Sequence, residues 1–274
     1  MNIKKLRLGL IGKDVSKSTS GAIHRFILSE FGVECEYQSF SITPQDLDST
    51  MRRLLGDFDG FNVTIPYKRD VFEYLDGVDG SALNCGAVNT VLSATRVGYN
   101  TDVAGFMLML TAAGITVKNK KVLVLGAGGA GRSSAVALKD AGAQVFMYRR
   151  NRAELEEVCS QLGVQAVNDP ERGGFDVVIN STGVGMHDTE GVSPVGVKAF
   201  DGATVAVDLI YTPKQSKFLS IASEQGLQTL NGEAMLFYQA YYADCLYLNY
   251  SPSEEQAKTL YKKYQNSIQT EKKV

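Results

Sequence analysis

Two clusters in this 274-residue chain have the residue types and spacing to do chemistry. The first is Gly126-Ala127-Gly128-Gly129-Ala130-Gly131, which follows a short apolar run at 121–125 and opens a helix predicted over 132–141. Glycines spaced this way between a strand and a helix make a tight turn, let the backbone approach a pyrophosphate and pack the helix on the strand. The N–H groups and dipole of the helix start then face the phosphates. The pattern points to a dinucleotide; the alternative is a structural glycine turn. The second cluster, Tyr148-Arg149-Arg150-Asn151-Arg152, ends the next predicted strand. An NAD-binding unit usually carries Asp or Glu there for the ribose hydroxyls, and no acid is present in it. Guanidiniums pair phosphate in a bidentate fork and stack on adenine, which suits the 2′-phosphate of NADP. The same residues also read as a helix start, with Asn151 as N-cap and Glu154 at the third position. Both readings can hold together.

Further upstream stand Asn62-Val63-Thr64-Ile65-Pro66-Tyr67-Lys68, Gly86-Ala87-Val88-Asn89-Thr90 and Gly98-Tyr99-Asn100-Thr101-Asp102. Taken alone, Lys68 could be a solvated lysine at a helix start and Asp102 the cap of a helix running to Ala113. In this order, and ahead of the glycine-rich turn, the three motifs resemble the shikimate dehydrogenase family. Gly12 with Ser18-Thr19-Ser20 and His24 is similar to that family's serine pair. Asp208-Leu209-Ile210-Tyr211 and Asn231-Gly232 with Met235-Leu236 and Gln239 are similar to its late motifs. The likeness touches nearly the whole chain.

The resemblance implies reversible NADPH-dependent reduction of 3-dehydroshikimate to shikimate, in the biosynthesis of aromatic amino acids and chorismate. It implies Lys68 and Asp102 as the catalytic pair, and the chemistry wants such a pair. A carbonyl oxygen whose carbon takes a hydride becomes an alkoxide; an ammonium can stabilise and protonate it while a carboxylate holds the ammonium. By the same resemblance Ser18 and Ser20 take the substrate carboxylate, and Thr64, Asn89, Tyr211 and Gln239 hold ring hydroxyls. Gly126, Ala127, Gly128, Gly129, Ala130, Arg149, Arg150, Asn151, Leu209 and Gly232 hold NADP. Each substrate residue also has a local alternative: Ser18 and Ser20 as helix caps, Asn89 in a turn, Gln239 facing solvent, Tyr211 in packing. The chain departs from the family's usual pattern at Asp14 (usually proline), Lys17 (commonly histidine), Gly21 (proline) and Arg25 (asparagine), which puts the rigidity of the serine loop in question. Arg149-Arg150-Asn151 replaces the usual Asn-Arg-Thr. Two rival readings stay open: a quinate/shikimate dehydrogenase using NAD or NADP, and a catalytically silent protein that senses NADP or shikimate.

These residues need elements to position them. Strand-like and helix-like stretches alternate from the start, which favours an α/β parallel-sheet architecture. Strands are predicted at 6–11, 35–42 and 58–65. A helix carries Ile23, Phe26, Ile27 and Phe31 and stops at Gly32; another opens at Thr43-Pro44, carries Leu47, Met51, Leu54 and Leu55, and closes at Gly56. The pattern restarts near 120, with strands at 121–125, 145–148, 176–180 and 204–209 and a helix at 152–162. A helix start is predicted at Thr212-Pro213-Lys214-Gln215, and two last helices from about Glu233 and from Ser251-Pro252-Ser253-Glu254. The expected organisation is two α/β domains: a substrate domain of residues 1–101 plus 233–274, and a Rossmann-type NADP domain of residues 102–232. Asp102 would meet Lys68 across the cleft between them, so that closure completes the site.

Composition bounds the rest. With 28 Lys+Arg against 30 Asp+Glu the formal charge is −2, no basis for binding nucleic acid or an anionic membrane. The longest uncharged run, 103–117, falls short of the ~20 residues that span a bilayer. The apolar start is broken by Arg7 and ended by Lys13 and Asp14, too early for a signal peptide. Cys35, Cys85, Cys159 and Cys245 show no metal spacing and read as reduced thiols. His24 and His187 have no acidic or nucleophilic partner pattern and read as structural, and no metal site is expected. The sequence thus points to a cytoplasmic enzyme, monomer or homodimer, with a small-molecule substrate.

Overall fold

The computed structural model describes residues 5–271; Lys4, Lys272 and Lys273, among the lysines at the two ends, lie outside the described residues. The chain divides into two compact units, residues 1–105 with 236–274, and residues 106–235.

The first unit begins with β1 (Lys5–Gly12), α1 (Ser20–Glu30), β2 (Glu34–Ser41), α2 (Leu47–Asp57), β3 (Gly60–Val63), β4 (Gly77–Val78), α3 (Gly80–Cys85), β5 (Thr90–Leu92), β6 (Val97–Tyr99) and the head of α4 (Asp102–Ala112). Its sheet runs in the order β2-β1-β3-β5-β6-β4. β1 pairs in parallel with β2 and β3, and β5 lies antiparallel between β3 and β6. Side chains alternate across a strand, so Leu6 and Leu8 join a core with Leu28 and Val33. Ile11 faces the other side, with Met51, Leu54, Phe61 and Tyr67.

The local signals decide where these elements stop. Gly32 sits at φ +70 just beyond α1, the left-handed position that a glycine allows at a helix end. Thr43 and Asp46 form a capping box around a short 3-10 turn at Pro44–Asp46, ahead of α2. Gly56 does not end α2, which runs on to Asp57 with Phe58 as its cap. The predicted strand 58–65 is shorter in the structure, because pairing holds only Gly60–Val63 before the chain turns through Thr64.

The second unit carries β7 (Lys121–Leu125), α5 (Gly129–Asp140), β8 (Gln144–Tyr148), α6 (Arg152–Leu162), β9 (Gln165–Ala166), β10 (Val177–Asn180), β11 (Val205–Asp208), α7 (Lys217–Glu224) and β12 (Gln228–Asn231). All neighbours are parallel, in the order β12-β11-β10-β7-β8-β9. Counted from β7, this is the doubly wound dinucleotide-binding order, whose ligand lies outside the carboxyl ends of the strands where the order reverses. Every residue of β10 and β11 is buried, as expected of strands covered on both faces. α7 starts later than the signal at Thr212-Pro213-Lys214-Gln215 suggests. Its N-cap is Ser216, whose hydroxyl accepts the Leu219 N–H at 3.3 Å, so residues 212–215 are connection rather than helix.

After β12 come α8 (Glu233–Leu248) and α9 (Glu254–Glu271). The unit boundaries fall inside α4, after Gly105, and inside α8, before Leu236. Asp102 therefore lies in the first unit with Lys68.

Candidate active site

Lys68 follows the turn after β3, and its carbonyl accepts the Val88 N–H at 2.8 Å. Its Nζ meets Asp102 Oδ2 at 2.5 Å, with side chains 13% and 9% exposed. Lys68 is therefore not a solvated helix-start lysine. Asp102 is the first residue of α4, where the helix dipole favours a carboxylate. Its carboxylate oxygens are taken by Lys68 Nζ and Asn89 Nδ2, while Asn100 Oδ1 accepts the Asp102 N–H at 3.1 Å.

Asn89 organises the pair. Its backbone is no free turn: its N–H donates to Tyr99 O at 3.0 Å and its carbonyl accepts from Val63 at 2.9 Å, fixing it between β3 and β6. Its Nδ2 donates to Asp102 Oδ1 and Thr101 Oγ1, each at 2.9 Å, and more weakly to Gln239 Oε1 at 3.4 Å. Its Oδ1 accepts the Thr101 N–H at 2.8 Å and the Thr90 hydroxyl at 3.0 Å. Asn62 Nδ2 donates to Thr90 Oγ1 at 3.2 Å and Tyr37 OH to Asn62 Oδ1 at 3.0 Å. Gln239 is buried on α8 rather than facing solvent, with Nε2 on Leu236 O at 2.8 Å. The structure thus joins Lys68, Asp102, Asn89 and Gln239 in one network. It adds Asn62, Thr90, Asn100 and Thr101, each a letter of the motifs above to which the sequence assigns no role.

Ser18 and Ser20 precede or open α1. Their hydroxyls bond each other at 3.1 Å, and the Ser20 N–H donates to Ser18 Oγ at 3.3 Å. The N-cap is Thr19, with no side-chain cap bond. The loop is not slack despite its departures from the usual pattern. Asp14 Oδ1 accepts the Ser16 N–H at 3.1 Å and the Ser16 hydroxyl at 2.7 Å, and the Val15 N–H donates to Ser41 Oγ at 3.0 Å. These bonds do the stiffening that a proline would do through its ring. Thr64 packs its methyl where a Cβ on Gly12 would fall.

His24, read above as having no acidic partner, has one. Its Nδ1 lies 2.6 Å from Asp244 Oδ1, both side chains fully buried, and its ring stacks on Tyr37 at 4.9 Å between centroids. Asp244 is 220 residues away in sequence, so only the packing of α8 reveals the pair. Burial pushes the Asp244 carboxyl above its ordinary value, and His24 pulls it partly back.

The second unit supplies a cradle. Gly126 has φ +105 and its N–H donates to Tyr148 O at 2.9 Å; a side chain there is strained and would strike Ser181. A Cβ on Gly131 would strike the Gly126 carbonyl, whereas one on Gly128 would meet nothing within 4 Å. Gly128 is also the N-cap of α5 and makes no side-chain cap bond. An open approach to a bare helix N-terminus fits a pyrophosphate. At the end of β8, Arg149 is paired with Glu154 and Arg152 with Glu156, while Arg150 is exposed and without an ion pair among the described residues. Asn151 caps α6, accepting the Glu154 N–H at 3.3 Å. Gly232 lies so close to the Leu209 carbonyl that a Cβ there would strike it. Ala127 lies in the turn, Gly129 and Ala130 open α5 three residues earlier than the predicted helix start at 132, and Tyr211 is half-buried just beyond β11.

Two family models match the chain: the shikimate dehydrogenase substrate binding domain over residues 10–91, and the alanine dehydrogenase/PNT C-terminal domain over 94–232. The shikimate dehydrogenase (NADP(+)) of Thermus thermophilus is 36% identical over 236 residues, covering 85% of this chain and 89% of that relative. The chain belongs to the shikimate dehydrogenase family. Solved shikimate dehydrogenase structures agree. The Thermus thermophilus shikimate 5-dehydrogenase in complex with NADP(H) and shikimate superposes with a TM-score of 0.86 at 34% identity, covering 94% of this chain and 99% of that one. A chorismate mutase/shikimate 5-dehydrogenase fusion protein from Clostridium acetobutylicum gives 0.88 at 33%, covering 98% and 100%. The family and the two-part α/β architecture expected from the motifs are borne out. Among the described residues no helix is long and apolar enough to cross a membrane, and no cluster of His, Cys, Asp and Glu could hold a metal ion.

Proposed function

We propose that this protein is an NADP-dependent shikimate dehydrogenase, reversibly reducing 3-dehydroshikimate to shikimate. The observation that carries the reading is the Lys68–Asp102 pair gripped by Asn89, in a chain of this family. Bound NADPH supplies a hydride to the carbonyl carbon. Lys68 meets the charge that develops on the carbonyl oxygen. An ammonium has three N–H donors and the Asp102 bond uses one, which leaves N–H groups to stabilise the oxygen and give it a proton. Asp102 keeps the amine in place throughout, and Asn89 keeps Asp102 from rotating. In the oxidative direction Lys68 takes the hydroxyl proton back.

Ser18 and Ser20 receive the substrate carboxylate, and Thr64, Asn89, Tyr211 and Gln239 hold ring hydroxyls. A ring with several hydroxyls needs such directional partners, because unpaired polar groups in a closed site are expensive. Residues 126–130 hold the pyrophosphate, Leu209 and Gly232 also contact NADP, and the Arg149-Arg150-Asn151 segment reads the 2′-phosphate. Arg150 dominates there, since Arg149 and Arg152 already pair with acids and a charge-assisted contact contributes about 1.5–3 kcal/mol. The first unit serves as the substrate domain and the second as the NADP domain. The enzyme works in the cytoplasm as a monomer or homodimer, consistent with four free cysteines.

The test is NADP reduction followed by absorbance with shikimate, beside quinate and NAD. Shikimate with NADP should give the largest kcat/KM, and Arg150→Ala should raise the KM for NADP about tenfold or more while NAD use stays constant. Equal use of quinate or NAD would move the broader quinate/shikimate reading ahead, and ligand binding without turnover would support a sensor.

A further inference from the structure

At the carboxyl end of β11 a carboxylate that the proposed reaction does not use gathers three hydrogen bonds, one from the end of β10 and two from the connection after β11. Asp208 is fully buried and has no ion-pair partner among the described residues. Its Oδ1 accepts the Ile210 N–H and Asn180 Nδ2, each at 3.0 Å. The Ser216 hydroxyl donates to Oδ2 and itself caps α7. Asp208 thus fastens the connection 209–216 at both ends, by main chain at Ile210 and by side chain at Ser216.

Asn180 extends the hold. Its carbonyl accepts the Leu209 N–H at 2.8 Å, and its Oδ1 accepts the Thr182 N–H at 3.0 Å and the Thr182 hydroxyl at 2.6 Å. The Thr182 methyl lies 3.1 Å from where a Cβ on Gly126 would stand. The loops that follow β10 and β11 are therefore tied through one carboxylate, at the strand ends where a doubly wound sheet takes its ligand. Burial of a carboxylate without a counter-charge is costly, and here burial pushes Asp208 up to about 6 against the pull of its three donors. A neutral cap could close a connection of this length without that cost, so the expense points to a demand on shape.

We propose that Asp208 is a positioning residue for the dinucleotide and the ring substrate, holding the 209–216 connection so that Leu209 and Tyr211 meet their ligands. The proposal rests on the function given above. Its test compares the parent with Asp208→Ala, Asp208→Asn and Ser216→Ala, measuring NADPH affinity by fluorescence titration, KM and kcat with shikimate, and melting temperature. A misplaced ligand contact costs up to about a hundredfold, so Asp208→Ala should weaken NADPH binding and raise the shikimate KM about tenfold or more, with a smaller loss in kcat. Asp208→Asn, which keeps an acceptor for the Ile210 N–H, should recover most of that loss, and Ser216→Ala should fall between. Lower melting temperatures with parental affinity and KM, read from Ser216→Ala and Asp208→Asn should the alanine variant fail to fold, would overturn the positioning role and leave the proposed function standing. A parent that binds no NADPH overturns both.

Discussion

Two acid–base pairs of the first unit, Lys68–Asp102 and His24–Asp244, are built differently. Lys68–Asp102 keeps some exposure, 13% and 9%, and the second carboxylate oxygen has Asn89 as a donor. His24–Asp244 is fully buried, and His24 Nε2 and Asp244 Oδ2 have no partner. A pair that must meet a substrate needs spare donors and a route to them. A pair sealed in a core offers neither and instead ties elements together, here α1 to α8. Short distance is common to both, at 2.5 and 2.6 Å; the surroundings separate chemistry from structure.

The contrast can be broken by removing one partner from each pair. Lys68→Met should lower kcat by about 10²–10⁴-fold, the range for losing a positioned general acid, with little change in shikimate KM or melting temperature. Near-parental turnover would remove Lys68 from the mechanism. Asp244→Ala should do the reverse. Stripping one partner from a buried pair costs about 3–5 kcal/mol, seen as a lower denaturation midpoint, while kcat of the folded protein stays within a few-fold. If activity collapses and stability holds, the two pairs have been assigned the wrong way round.

Asp208 sharpens the comparison as a buried acid with neither lysine nor histidine. Its folded value of about 6 lies above the ordinary 3.8, so the folded state holds the proton more tightly than the unfolded chain does. The stability this adds is fully present below about 3.8 and is lost as pH rises through about 6. Asp208→Asn cannot titrate. Relative to the parent it should therefore gain about 3 kcal/mol between pH 4 and 6.5 and stay level above, measured by denaturant unfolding across pH. A flat difference would show that the carboxylate is not shifted. The smallest effect belongs to uncharged groups. Ser18→Ala and Ser20→Ala should each weaken shikimate binding by about 1–3 kcal/mol and leave NADP affinity unchanged; parental affinity in both would limit the serines to holding their own loop.

Much of this was legible in residue order. The turn at 126–131, the arginines after Tyr148 and the strand–helix alternation depend on local spacing, because glycine conformation, capping and hydrophobic period are properties of neighbours in sequence. Lys68 and Asp102 stood out only through the family resemblance of the motifs that carry them. The predicted start of α7 failed because Ser216 acts as N-cap while Asp208 holds its hydroxyl, a partnership that the Thr212-Pro213 signal does not contain. Tertiary structure alone decided that Asn89 holds the Asp102 carboxylate, and that Asp102 belongs with Lys68 in the first unit. It alone joined His24 to Asp244 and made Asp208 a hub. The physical reason is common to all of these. Burial and hydrogen-bond partners come from elements far apart in the chain, and a carboxylate's role is set by which donors surround it once water is gone.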